Sequence, residues 1–221
     1  MIITHYITKD NLKIPSNHKY SSELKQRWSC HEPKTNSKIL KLLDNINFSD
    51  NKFILDTGSH VGDTLFMISL YLIRNKQQNM KVIGVEPDAE KVSFIKQIIN
   101  LNNINNIEIH CNAISDENKN YIINRSNTNS GAWTMEISDS GNAFVSLDEV
   151  CRNKEIYLMH LDIEGYEINA INSGKETIKT TSHLILEYEH IGLDKIKNIL
   201  SLDKFEYEVL DAGDVYLKNL G

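Results

Sequence analysis

Arginine is scarce in this 221-residue chain: of 24 basic residues only four are arginines, Arg27, Arg74, Arg125 and Arg152, and the 30 acidic residues leave a net charge of −6. Binding a phosphate backbone takes clustered positive charge, so this balance argues against a nucleic-acid partner. Cysteine is scarce too. Cys30, Cys111 and Cys151 are odd in number and form no CxxC pair, which argues against a disulfide framework and a zinc site and fits a reducing compartment. Long apolar runs are missing. The longest, Leu65 to Ile73, is interrupted by Ser69 and falls far short of the ~20 residues a bilayer demands. Met1 to Tyr20 mixes His5, Lys9, Asp10 and Lys13 among its apolar residues and offers no signal-peptide core. The expectation is a cytoplasmic protein with no membrane partner.

What is present is a 40% hydrophobic, 24% charged composition, enough to bury the core of one α/β domain. From Asn51 onward, short β-branched runs alternate with amphipathic stretches, the pattern of parallel strands joined by crossover helices. Strands are expected at Phe53 to Leu55, Lys81 to Glu86, Ile107 to Cys111, Ile156 to Leu161 and His183 to Tyr188. Helices are expected at Thr64 to Arg74, from Asp88 as cap to about Leu101, at Glu167 to Ser173 and at Leu193 to Leu200. Phe205 to Leu210 and Val215 to Leu217 stand too close for a crossover helix and read as an antiparallel hairpin closing the sheet. Asn/Ser/Gly turns within about 119–150 read as a hairpin insertion, and residues 1–35, without clear periodicity, as an N-terminal cap or lid on a single domain, 36–221.

Directly after the first of these strands comes Asp56-Thr57-Gly58-Ser59-His60-Val61-Gly62-Asp63-Thr64. Glycine after a strand and again before a helix lets backbone approach a ligand and turn sharply, which marks a cofactor loop. A dinucleotide loop needs Gly-x-Gly-x-x-Gly to seat a pyrophosphate, and that spacing is missing. Asp56 would repel phosphate and suits a cationic group such as the amino group of an amino-acid moiety. Thirty residues on, Glu86 ends the second strand, where a carboxylate can accept from ribose hydroxyls.

These residues resemble the doubly wound S-adenosylmethionine-dependent methyltransferases. In more detail the chain is similar to the FkbM methyltransferase family through Ile54 to Gly62, Val85-Glu86-Pro87, Asn112-Ala113-Ile114-Ser115, Val145 to Glu149, and Leu161-Asp162-Ile163-Glu164-Gly165-Tyr166-Glu167, in family order. The resemblance implies a Rossmann-like class I methyltransferase sheet, mostly parallel, with helices on both faces. It implies S-adenosylmethionine bound by Asp56, Gly58, Ser59, His60, Gly62, Thr64, Glu86, Pro87, Asn112, Ala113 and Asp162. The activity it implies is O-methylation of a hydroxyl on a sugar, glycan or related small metabolite. The alternative is a non-catalytic S-adenosylmethionine-binding regulatory module.

Methyl transfer to a hydroxyl asks for an aligned acceptor and a group that takes its proton. Asp162 is the first candidate, with Glu164 and Glu187 beside it at strand ends; Glu164 has a rival role as helix cap, and Glu167 reads as structural. Asp162 with Glu187 is also a donor pair for a hard divalent ion, with structural pairing as the alternative, and no metal is assigned. Trp133, in the insertion, either stacks on a sugar face or packs the insertion's own core.

Overall fold

The computed structural model describes residues 5–46, 52–77, 79–125, 133–200, 204–210 and 213–221. The chain opens with a short antiparallel pair, β1 (His5–Ile7) and β2 (Lys13–Pro15), then two helices, α1 (Ser21–Cys30) and α2 (Pro33–Asp44). Pro33 starts α2 at the position where a missing N–H costs nothing. Helix α1 carried no clear signal in the sequence, whereas α2 buries Thr35, Ile39, Leu42 and Leu43 at helical spacing. Next come β3 (Phe53–Thr57), α3 (Asp63–Arg74), β4 (Lys81–Val85), α4 (Ala89–Asn102) and β5 (Ile107–His110). Asp88 caps α4 as expected, accepting from the Glu90 N–H at 2.8 Å.

The insertion is a small antiparallel sheet of three strands, β6 (Asn120–Arg125) between β7 (Trp133–Ser138) and β8 (Asn142–Ala143). The expected role of Trp133 falls on a side chain outside the described residues. A one-turn helix α5 (Leu147–Val150) leads into β9 (Ile156–Leu161), α6 (Glu167–Ser173), α7 (Lys175–Thr180), β10 (His183–Glu187), α8 (Leu193–Leu200), β11 (Phe205–Val209) and β12 (Asp214–Asn219). Gly174 ends α6, as its sequence position suggests, but α7 starts immediately after it, a restart that sequence patterning did not anticipate.

The main sheet runs β11-β12-β10-β9-β3-β4-β5. The pairs from β10 to β5 are parallel, and β12 is antiparallel to both β10 and β11. This is the mostly parallel, Rossmann-like arrangement with its antiparallel closing hairpin. Side-chain alternation divides the core into two. Ile54, Leu158 and Ile185 pack under β2 and α1 to α4 on one face, while Leu55, Met159, Leu184 and Leu186 pack under α5 to α8 on the other. Alternation along β9 also puts His160 and, just past the strand end, Asp162 on the same face as Leu158. Among the described residues no helix is long and apolar enough to cross a membrane.

Candidate functional site

The turns that follow the parallel strands open at one edge of the sheet, where ligands sit in open α/β folds. A cavity of about 730 Å³ lies there. Its floor is the loop after β3. The N–H groups of Gly58 and Ser59 both donate to the Val85 carbonyl, at 2.9 and 3.1 Å, which ties this loop to the end of β4. Gly58 has φ +75°, and a Cβ there would stand 1.7 Å from the Asp162 carbonyl oxygen, so only glycine lets the ends of β3 and β9 meet. Asp162 N–H completes that junction by donating to the Thr57 carbonyl at 3.2 Å.

Glu86 directly follows β4 and is 1% exposed. Its carboxylate accepts from the His60 N–H on one oxygen and the Asp88 N–H on the other, each at 2.9 Å, which fixes it while leaving lone pairs for ligand hydroxyls. Burial pushes its carboxyl up to about 7, against the charge of Lys91 and these two donors. Lys91, itself fully buried on α4, donates from Nζ to His60 Nδ1 at 2.6 Å. The other ring nitrogen of His60 pairs with Glu23 of α1. A chain of polar contacts thus runs from Glu23 of the N-terminal helix through His60 to Lys91 of α4.

Of the residues expected to bind cofactor, Gly58, His60, Glu86, Pro87, Asn112, Ala113 and Asp162 line the cavity; Glu164 and Glu187 line it as well. Asp56, Ser59, Gly62 and Thr64 are not on its wall. Asp56, expected to face a cationic ligand group, instead points along the sheet to His160, whose Nδ1 lies 2.9 Å from Asp56 Oδ1. The Ser59 hydroxyl donates to the Asp56 carbonyl at 2.9 Å, and Gly62, with φ +91°, serves as N-cap of α3.

Among the wall residues that were not foreseen are Glu23, Arg27, His31 and Glu32. They come from α1 and its junction with α2, in the segment expected to act as a cap or lid. The segment is anchored to the cofactor loop by the ion pair of Arg27 Nε with Asp63 Oδ1, at 3.1 Å, and by Glu23 to His60. Its lack of periodicity hid these contacts, since they are made by isolated polar residues. His160 was also missed; in sequence it is one polar residue within a buried strand.

At the far end of the cavity, acids gather. Burial pushes the Asp162 carboxyl up, opposed by the charge of His160 and reinforced by Glu32 and Glu164. Glu187 is raised by burial and then by the charges of Asp162, Glu164, Glu167 and Asp214. Glu167 is buried and braces the loop after β9, its Oε1 accepting from the Ile163 and Gly165 N–H groups at 3.0 and 3.2 Å. That matches the structural reading of Glu167. Glu164 is not the helix cap; it sits 3.0 Å from His190 Nε2, and Tyr166 takes the cap position.

The model of the FkbM methyltransferase domain matches residues 56–216, well over half of the chain. The chain belongs to the FkbM methyltransferase family. No curated protein sequence matches it. Among solved structures it is similar to methyltransferase FkbM from Methylobacillus flagellatus KT, with TM-score 0.55 and 17% identity over 79% of this chain; this chain spans only 45% of that one. It is also similar to the O-methyltransferase NovP, with TM-score 0.56 and 9% identity over 85% of this chain and 80% of that one. A methyltransferase from Geobacter sulfurreducens gives TM-score 0.53 and 10% identity over 94% and 93% of the two chains. At such identities the likeness is one of fold, and it agrees with the strand order of the main sheet.

Proposed function

We propose that this protein transfers a methyl group from S-adenosylmethionine to a hydroxyl oxygen of a small polyhydroxylated acceptor, of the sugar class. S-Adenosylmethionine supplies, when bound, an electrophilic methyl group on a sulfonium. The residues present fit such a ligand. Glu86, held by two backbone N–H groups, offers its remaining lone pairs to two neighbouring ribose hydroxyls. Gly58 brings bare backbone to the cavity floor, and Pro87, Asn112 and Ala113 wall the side beyond Glu86 where an adenine would rest.

The observation that carries the reading is the junction of Gly58 with the Asp162 backbone, which brings a residue that bears a carboxylate to the cavity wall beside the cofactor loop. Asp162 is the group that accepts the acceptor's hydroxyl proton on its carboxylate. A carboxyl raised by burial is a better base at neutral pH than an exposed one. Support for a polyhydroxylated acceptor is the acid wall itself, because Glu32 and Glu164 accept hydrogen bonds from hydroxyls and repel phosphates and carboxylates, and the Glu187 carboxyl beside them also exchanges hydrogen bonds with hydroxyls. Helix α1 and the α1–α2 junction act as the cap that keeps bulk water off this edge. Calorimetric titration with S-adenosylmethionine, followed by transfer of labelled methyl to a panel of neutral sugars, amino sugars and uronic acids, tests the reading. Binding with transfer to hydroxylated neutral acceptors is the expected result. Absence of cofactor binding removes the whole proposal; binding without transfer to any acceptor favours the regulatory alternative.

A further inference from the structure

With the proposed function as its basis, we propose that Arg27 of α1 receives the carboxylate at the amino-acid end of the cofactor. Along the sheet edge the cavity wall runs from Asn112 and Ala113, after β5, through Glu86 after β4 and Gly58 after β3 to Asp162 after β9. With the ribose at Glu86 and the adenine toward β5, the amino-acid end extends toward β3 and β9. Arg27 stands on that side. Its Nε lies 3.1 Å from Oδ1 of Asp63, the first residue of the helix that follows β3, and its Nη2 lies 2.5 Å from His31 Nε2. A ring nitrogen of His31 in turn lies within 4.8 Å of an Asp162 carboxylate oxygen.

The rest of the cavity is hostile to such a group. Glu23, Glu32, Glu86, Asp162, Glu164 and Glu187 all line the wall, and a carboxylate brought among them without a counter-charge is repelled. Among the described residues Arg27 is the only lysine or arginine that lines it. The two wall histidines are already engaged: His60 meets Lys91 on one ring nitrogen and Glu23 on the other, and His31 Nε2 meets Glu32 Oε1 at 2.8 Å.

A guanidinium carries five N–H donors in a rigid fork that matches a carboxylate. The contacts to Asp63 and His31 engage Nε and Nη2, and Nη1 has no acceptor among the described residues. Those contacts also hold the guanidinium before a ligand arrives, which lowers the entropy cost of gripping it. An acidic acceptor is the other source of a carboxylate. The place of Arg27, tied to the helix that follows the cofactor loop, favours the cofactor.

Calorimetry on the full-length chain compares S-adenosylhomocysteine with its decarboxylated analogue, which keeps the adenosine, the sulfur and the amino group. The parent protein is expected to bind S-adenosylhomocysteine about 10–100-fold more tightly, as fits hydrogen bonds between charged groups. In Arg27→Gln that gap should close, with affinity for the analogue unchanged, and Arg27→Lys, which keeps the charge and loses the fork, should retain part of it. Equal binding of the two ligands by the parent overturns the proposal whether or not the variants fold. So does an Arg27→Gln protein that binds both ligands more weakly to the same degree, which marks Arg27 as a brace for α1. A gap left intact in Arg27→Gln while transfer to uronic acids falls assigns the residue to the acceptor and overturns the proposal as well. Absence of S-adenosylhomocysteine binding in the parent removes the proposed function itself; binding without a gap leaves that function standing and removes only the role of Arg27.

Discussion

His160 and Asp56 form a buried pair across two parallel strands, Nδ1 to Oδ1 at 2.9 Å, with neither side chain more than 4% exposed. Burial alone would strip the proton from His160, but the hydrogen bond and charge of Asp56, with the charges of Asp162 and Glu32, outweigh it and hold the ring at about 9. The first acid of the Asp56-to-Gly62 motif is thus paired with a histidine of β9.

Replacing His160 by glutamine leaves Asp56 buried without its counter-charge, a change that typically costs about 3–5 kcal/mol. The pH dependence has a definite sign. The folded pKa lies above the ordinary value of histidine, so the pair's contribution is complete below about 6.5 and fades as pH rises through about 9. Melting temperatures between pH 6 and pH 10 should fall for the parent protein and stay flatter for His160→Gln; parallel curves would mean that the pair is not charged.

Loss of the Glu86 carboxylate should act on binding. A hydrogen bond to a charged group contributes about 1.5–3 kcal/mol, so Glu86→Ala should weaken S-adenosylmethionine by about ten- to a hundredfold or more. Glu86→Gln should be milder because its amide oxygen still accepts. Calorimetry on both variants checks the order, and equal affinity in Glu86→Ala would remove this residue from the cofactor site.

Asp162→Asn keeps the size of the side chain but not its basicity. Removing a general base lowers the rate by about 10²–10⁴-fold. Cofactor affinity should change far less, which single-turnover rates and calorimetry on one preparation will separate. A variant with lowered melting temperature and undiminished turnover per folded molecule would mark Asp162 as a brace.

Gly58→Ala has no room. With 1.7 Å between the new Cβ and the Asp162 carbonyl oxygen, and φ at +75°, the ends of β3 and β9 must separate. Soluble yield and melting temperature should both drop sharply, and cofactor binding should be lost in any folded fraction. A variant with parent-like stability would show that the two strand ends can part without cost.

The sheet was readable from the sequence because its strands are buried on both faces and therefore written as β-branched and aliphatic runs, as at Ile156 to Leu161. Capping chemistry gave α4 through Asp88. Helix α1 was not readable in that way: it carries Glu23, Lys25, Gln26 and Arg27 around Leu24, its only buried apolar residue, so its packing surface is too narrow to show as a period, whereas α2 buries Ile39, Leu42 and Leu43 at helical spacing. The cavity wall divides along the same line. Glu86 and Asp162 are visible because each directly follows a strand, whereas Arg27 and His31 depend on which residues a fold brings together across long stretches of chain. Asp56 is the instructive case, since its place in the motif was clear and its partner was not.

Those long stretches bear on how the protein matures. Asp56 and His160 are 104 residues apart, and Thr35 of α2 reaches Asp214 across 179. Contacts of such sequence separation must wait for most of the chain to collapse, since loop closure is costly before they form. The cavity wall has the same character, since it joins Glu23 and Arg27 to Glu187 across the length of the chain, and a ligand that fits it needs all of these in place at once. It cannot nucleate the fold; it can only hold the finished one in place, by mass action, against reopening.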